Sequence, residues 1–320
     1  MIELNAGGLA SCQSLLENPD DFAVSVHASQ QSATIIDCGV DVPGSTAAGL
    51  LMADVCLAGL ADVQSLSPVD AASSWPSVAV ACEQPLAACM ASQYAGWQIS
   101  HEDYFAMASG PMRAAYGGEE LFDHIGFRER PERVIGVLEA SQLPGPDVCQ
   151  LVADKCGVAA EQLTLLVAPT ASLAGICQVV ARALETALHK MHQLGIDLAL
   201  IERGEGSAPL LPPGKDDLVA LGLSNDAVLY GGDVCIWIGL DDDQIQDQGP
   251  AIPSCSSSDY GRPFQQVFKQ YDHDFYKIDP LLFSPARITL VSTLSGNRMT
   301  FGQLAPDVLQ SSLAASITDS

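Results

Sequence analysis

The sequence predicts a mixed α/β (α+β) chain built as two domains. The first observation is length, since 320 residues exceed what one compact core serves. The second is a strand–helix–strand–helix–strand rhythm from residue 134 onward, the pattern of an α/β layer. The third is composition. Hydrophobic residues make up 48% but aromatics only 6%, with 27 Gly, which implies close backbone packing and tight turns in a globular chain.

The elements follow in order. A helix is expected over 8–17, then a strand in "ATIIDCGV" (33–40). In "DVPGSTAAG", Pro43–Gly44 makes a turn and Ser45 an N-cap, opening a small-residue helix to about Leu60. "SVAVACE" (77–83) reads as a strand and "PLAACMASQYAGW" (85–97) as a helix. In "YFAMASGPMRAAY" (104–116), Ser109–Gly110–Pro111 breaks two apolar stretches. "VIGVLEA", "LTLLVAP" and "IDLALIE" (196–202) then read as strands separated by helices. "DAVLYGGDVCIWIGL" (226–240) alternates like a hairpin or one long strand, and "DDDQIQDQGPAIPSCSSSD" (241–259) reads as a loop. "RITLVST" and "NRMTFGQL" flank the turn "LSGN" as a hairpin. The boundaries expected from this reading are 1–125 with 255–320 as one domain and 126–254 as the other.

A formal net charge of −25 repels phosphate backbones and anionic membranes, so neither nucleic acid nor a membrane is an expected partner. The opening "MIELNAGGLASCQSLLENPDDF" has no basic leader, and Asp54 and Asp62 interrupt the most apolar stretch. The expected location is the cytoplasm. The cysteines form no CxxC pair and read as buried reduced thiols, so no metal site is expected. GxGxxG, Walker A, GxSxG and HExxH are all missing, which leaves nucleotide, serine-hydrolase and zinc-protease readings unsupported.

The segment "APTASLAGICQVVARALETALHK" (168–190) leaves a strand and enters a helix, the place where α/β proteins bind ligands. Helical spacing puts Leu173, Cys177, Val180, Leu184, Leu188 and Met191 on a core stripe. Gln178, Arg182, Glu185, His189 and Gln193 fall opposite. From spacing alone, Arg182 and Glu185 read as an ordinary solvated face with a weak ion pair, and a pocket-facing pair is the alternative. Thr170 and Ser172 equally fit a simple cap of the helix.

Several blocks together resemble one family. They are "TIIDCGVDVPGSTAAGLLMADVCLAGLA", "SQYAGWQIS", "DYFAMASGPMRA", "LLVAPTASLAGICQVVARALETALHKMHQLG", "SNDAVLYGG", "SSSDYGRPF" and "DHDFYKIDPLLFSPA", in this order over nearly the whole chain. They are similar to methenyltetrahydromethanopterin cyclohydrolases. The resemblance implies two α/β domains with a large pocket between them, a homotrimer, and no tightly bound cofactor. It also implies that a tetrahydromethanopterin derivative is the substrate, whose methenyl bridge is hydrolysed reversibly to the formyl compound. The family's catalytic pair falls on Arg182 and Glu185. The matching blocks offer Tyr94, Ser109, Gly110, Pro111, Thr170, Ser172, Tyr230, Tyr260 and Lys277 as substrate-binding candidates, each with packing as the alternative.

Some archaeal relatives carry a basic residue where this chain has Tyr94, which fits a carrier with fewer negative charges. The dephospho form used in formaldehyde oxidation is such a carrier. Chemically, a carboxylate can orient and deprotonate water beside a cationic amidinium carbon, and a guanidinium can stabilise the oxygen that forms. A nearby cation also weakens that carboxylate as a base. Two rival readings remain, a pterin-binding paralogue without chemistry and a structural protein acting through its acidic surface.

Overall fold

The computed structural model describes residues 2–28, 32–68, 75–272, 274 and 277–318. His273, Phe275 and Tyr276 of the "DHDFYKIDPLLFSPA" block therefore lie outside the described residues. The chain forms two compact units, each with its own six-stranded mixed sheet, as the α/β reading expects.

The first unit comprises Met1–Asp62 and Leu86–Val179. Its helices are α1 (Leu4–Ser11), α2 (Gln13–Glu17), α3 (Thr46–Cys56), α4 (Met112–Tyr116), α5 (Leu121–Ile125), α6 (Pro146–Cys156) and α7 (Leu173–Val180). Its sheet holds β1 (Ser25–His27), β2 (Thr34–Asp37), β5 (Trp97–His101), β6 (Tyr104–Ser109), β7 (Val134–Glu139) and β8 (Leu163–Ala168), in the order β1-β2-β8-β7-β6-β5. β2, β8 and β7 run parallel, while β6 runs against β7. Parallel strands are covered on both faces, which explains why every residue of "LTLLVA" is buried. Leu163, Leu165 and Val167 join Val148 and Val152 of α6 in one core, and Leu166 and Ala168 join Met52 and Val55 of α3 in another. Each buried Leu, Val or Met among them contributes about 1.5–3 kcal/mol. Ser45 caps α3 as expected, its side chain accepting from the Ala48 N–H at 3.1 Å.

The second unit comprises Val63–Pro85 and Val180–Ser320. Its strands are β3 (Ala61–Leu66), β4 (Ser77–Cys82), β9 (Ile201–Pro209), β10 (Asp233–Ile238), β11 (Arg287–Ser292) and β12 (Arg298–Gly302), ordered β12-β11-β10-β9-β4-β3. α8 (Ala183–Gln193) and α9 (Asp217–Gly231) pack on β9, and α11 (Phe264–Gln270) and α12 (Pro306–Thr318) pack on α9. On β10, Trp237 stacks under Arg203 of β9, whose guanidinium lies 3.8 Å from the ring centroid. β11 and β12 form the expected antiparallel hairpin.

The expected domain division needs correction. Residue 126 falls inside the first unit and residue 254 inside the second. Long-range pairing decides this, because β2 joins β8 and so puts the chain's first residues in the sheet of "VIGVLE" and "LTLLVA". β4 likewise joins β9.

Several elements also differ from expectation. The opening helix breaks at Cys12 into α1 and α2. "PLAACMASQ" forms a π-helix over Leu86–Gln93, closed by a bond from the Tyr94 N–H to the Cys89 carbonyl five residues back. "IDLALIE" begins as a 3₁₀ turn at Leu198–Leu200, because the Asp197 side chain accepts from the Ala199 N–H, and becomes strand at Ile201. The alternation in 226–240 is half helix, since Asp226–Gly231 finishes α9 and β10 begins at Asp233. α9 is buried on several sides and has no clean amphipathic period. The acidic stretch holds α10 (Asp242–Gln248), which Asp241 and Gln244 cap reciprocally.

Candidate functional site

The segment 168–190 is two helices. α7 ends at Val180 and α8 begins at Ala183, with Arg182 at the N-cap position in a non-helical conformation, φ −89° and ψ 4°. Neither proline nor glycine occurs in "VVARAL", so local propensity does not set the break. Packing against β9 accounts for it. A Cβ on Gly204 would stand 2.6 Å from a Leu184 methyl, and one on Gly206 would stand 2.9 Å from the Leu184 backbone nitrogen. Two glycines at the strand period thus let the first turn of α8 lie directly on the sheet. The Arg182 carbonyl accepts from both the N–H and the hydroxyl of Thr186, each at 2.8 Å, which fixes that turn.

This geometry changes how the charged pair reads. Arg182 is 9% exposed and Glu185 5% exposed, so they do not form a solvated face. Glu185 sits in the first turn of α8, where the helix dipole favours negative charge. Burying a carboxylate and a guanidinium costs several kcal/mol each before their partners repay it. The expected core stripe holds with one exception, Leu173, the first residue of α7, which is 41% exposed.

Of the other candidates in the second unit, Tyr230 is fully buried and its hydroxyl is committed. It donates to the Arg262 carbonyl at 2.6 Å and accepts from the N–H groups of Gly261 and Arg262 at 3.1 Å. Burial pushes its pKa up to about 12. Tyr230 therefore holds the 260–262 turn, while half-buried Tyr260 is the ring that the turn presents, 5.1 Å from the Tyr230 ring. Lys277 is exposed and pairs with Asp274 at 3.7 Å.

In the first unit the candidates fall into separate groups. Thr170 and Ser172 stand beyond the C-terminal end of β8. The Thr170 hydroxyl donates to Glu139 at the end of β7. The Ser172 hydroxyl donates to the Pro169 carbonyl at 2.8 Å and accepts from the Gly175 N–H at 2.9 Å, so it caps α7. β6 runs the other way, pairing Ser109 with Val137, and Gly110 continues beside Gly136. Ser109, Gly110 and Pro111 are buried, with the Pro111 carbonyl accepting from Asn5 at 3.1 Å. Half-buried Tyr94 lies against the Arg113 guanidinium, 4.9 Å from its ring centroid.

Sequence reasoning missed Arg113, Glu139, Lys190 and the pair Gly204/Gly206. Only the glycines had a signal, as "RGEGS" places them two apart inside a strand pattern. Among the described residues, no group of three or more His, Cys, Asp or Glu gathers as a metal site. No helix among them is long and apolar enough to cross a membrane.

Two mixed-sheet α/β units, with Arg182 and Glu185 both buried at the start of α8, define the protein as a member of the α/β class. The chain matches the cyclohydrolase (MCH) family over residues 3–313. It is 43% identical over 304 residues to the methenyltetrahydromethanopterin cyclohydrolase of Xanthobacter autotrophicus, covering 93% of this chain and 90% of that one. It is 44% identical over 285 residues to the enzyme of that name from Rhodopirellula baltica, covering 88% and 86%. Against that from Methanosarcina barkeri the identity is 38% over 312 residues, covering 97% of each. The chain belongs to the methenyltetrahydromethanopterin cyclohydrolase family.

Proposed function

We infer that this chain hydrolyses the methenyl bridge of a tetrahydromethanopterin, reversibly, to the formyl compound. The observation that carries the reading is the burial of Arg182 and Glu185 at the start of α8 in a chain of this family. The methenyl carbon lies between two nitrogens in a cationic amidinium and is already electrophilic. Glu185 holds water against that carbon and accepts one of its protons as the new C–O bond forms. One C–N bond then breaks, the departing nitrogen takes a proton, and the oxygen loses its remaining proton to become the formyl carbonyl. One proton is released overall. Arg182 donates hydrogen bonds to the developing oxygen through its guanidinium. Besides taking a proton, Glu185 orients the water and places its carboxylate beside the cationic amidinium.

The reading extends to an uncharged position 94, which suits the dephospho carrier and formaldehyde oxidation. It also takes from the family resemblance a homotrimer in the cytoplasm with no tightly bound cofactor. The family resemblance offers Tyr94, Thr170, Ser172, Tyr260 and Lys277 as its substrate contacts. The test is to add purified protein to methenyl-tetrahydromethanopterin, in its phosphorylated and dephospho forms, and follow the methenyl absorbance. Loss of absorbance with the formyl compound as product, faster for the dephospho form, is the expected result. Tight binding with no loss of absorbance would favour a carrier that does no chemistry.

A further inference from the structure

Lys190 lies on α8, the helix that carries Glu185, and the chemistry above does not use it. It is fully buried, which lysine seldom is unless its ammonium has partners. Its Nζ donates to the Leu281 carbonyl and to the Ser256 hydroxyl, the latter at 3.1 Å. Asp279 and Cys255 face it through space. Burial lowers its pKa to about 8, against the opposing pull of those two groups.

Its partners are the two ends of one polar network. Asp279 accepts from the Ser257 hydroxyl at 2.6 Å, the Ser258 N–H at 3.2 Å and the Leu281 N–H at 3.0 Å. The Asp279 N–H donates to Asp259 at 3.0 Å, and Asp259 also accepts from the Tyr271 hydroxyl at 3.0 Å. Tyr260 sits inside this network, its N–H donating to the Ser257 carbonyl at 3.3 Å. Ser256 and Leu281 thus bring the Tyr260 loop and the Asp279 segment to one ammonium on α8.

We propose that Lys190 is a positioning residue that moors the 256–262 loop, and with it Tyr260, to the helix carrying Glu185. It thereby governs substrate affinity and not the chemical step. The proposal rests on the functional reading of α8 and Tyr260 given above. A side chain of similar length without a charge would fill the space but leave the Leu281 carbonyl and Ser256 without their donor.

The test combines amide hydrogen exchange with steady-state kinetics on Lys190→Met, with Asp279→Asn read by the same criteria if the first variant does not fold. The amides of Ser258 and Tyr260 exchange at least about ten-fold faster while those of α9 and β9 are unchanged. KM for methenyl-tetrahydromethanopterin rises about five-fold or more, with kcat within about three-fold. Combined with Tyr260→Ala, Lys190→Met adds no further rise in KM, because both act through one loop. Unchanged exchange in the loop overturns the proposal, and so does a fall in kcat at constant KM. If exchange rises but the unaltered protein does not consume the methenyl compound, the mooring stands and the functional reading falls.

Discussion

Gly206 of β9 and Leu184 of α8 are in backbone contact, since a Cβ on Gly206 would stand 2.9 Å from the Leu184 nitrogen. Leu184 is followed immediately by Glu185, so the strand sets the height of the carboxylate. Gly206→Ala forces that turn of backbone to move and is expected to lower kcat at least about ten-fold, as misplacement by an ångström does. Gly204→Ala presses only on a Leu184 methyl, 2.6 Å away. Its smaller loss is expected to be relieved by Leu184→Ala, whereas that of Gly206→Ala is not. Kinetics on the three variants and the two double variants check both statements.

In the proposed reaction, Arg182 supplies a planar guanidinium fork beside the forming oxygen. Arg182→Lys keeps the charge and loses the fork, and kcat is expected to fall about 10²-fold with the fold intact. Near-native kcat with unchanged circular dichroism would leave Arg182 only its role at the start of α8.

Asp226 makes a prediction about pH. It is buried, accepting from the Phe264 N–H at 2.8 Å and from the Ser312 hydroxyl, and burial raises its pKa to about 7 against the hydrogen bonds that lower it. An acid whose folded pKa lies above its unfolded value binds more protons when folded. Its contribution to stability is therefore greatest below about pH 4 and is lost as pH rises toward 7. Asp226→Asn mimics the protonated form, so its Tm relative to the native protein should rise steadily between pH 5 and pH 8. A difference in Tm that does not change with pH would contradict the assignment.

Arg113 is fully buried, bonded to Glu119 at 2.9 and 2.7 Å and to the Met90 carbonyl at 2.9 Å, between the rings of Tyr94 and Phe122. Arg113→Met leaves Glu119 without its partner and is expected to cost about 3–5 kcal/mol in urea unfolding. Arg113→Met with Glu119→Gln should recover part of that loss, because no unpaired charge remains.

The sequence was most legible where local rules and burial agree. Ser45 and the hairpin around "LSGN" behave as their residue types dictate, and β7, α6 and β8 appear where their apolar runs place them. It was least legible where distant pairing decides. "TIID" joins "TLLV" across more than a hundred residues, and no local feature announces that Asp226–Gly231 continues a helix. The break at Ala181–Arg182 was equally hidden, because it answers to glycines on β9. Arg182 and Glu185 were singled out through family blocks, since spacing alone favoured a solvated face. The backbone partners of the Tyr230 hydroxyl, at Gly261 and Arg262, had no signal in the sequence.

The most direct measurement of the central claim is kcat for methenyl-tetrahydromethanopterin hydrolysis by Glu185→Gln beside the native protein, with substrate binding measured on both. A loss of about 10²-fold or more in kcat, with Kd changed little, is the result this account predicts. Equal kcat in the two proteins would contradict it, and would make Glu185 a buried structural charge.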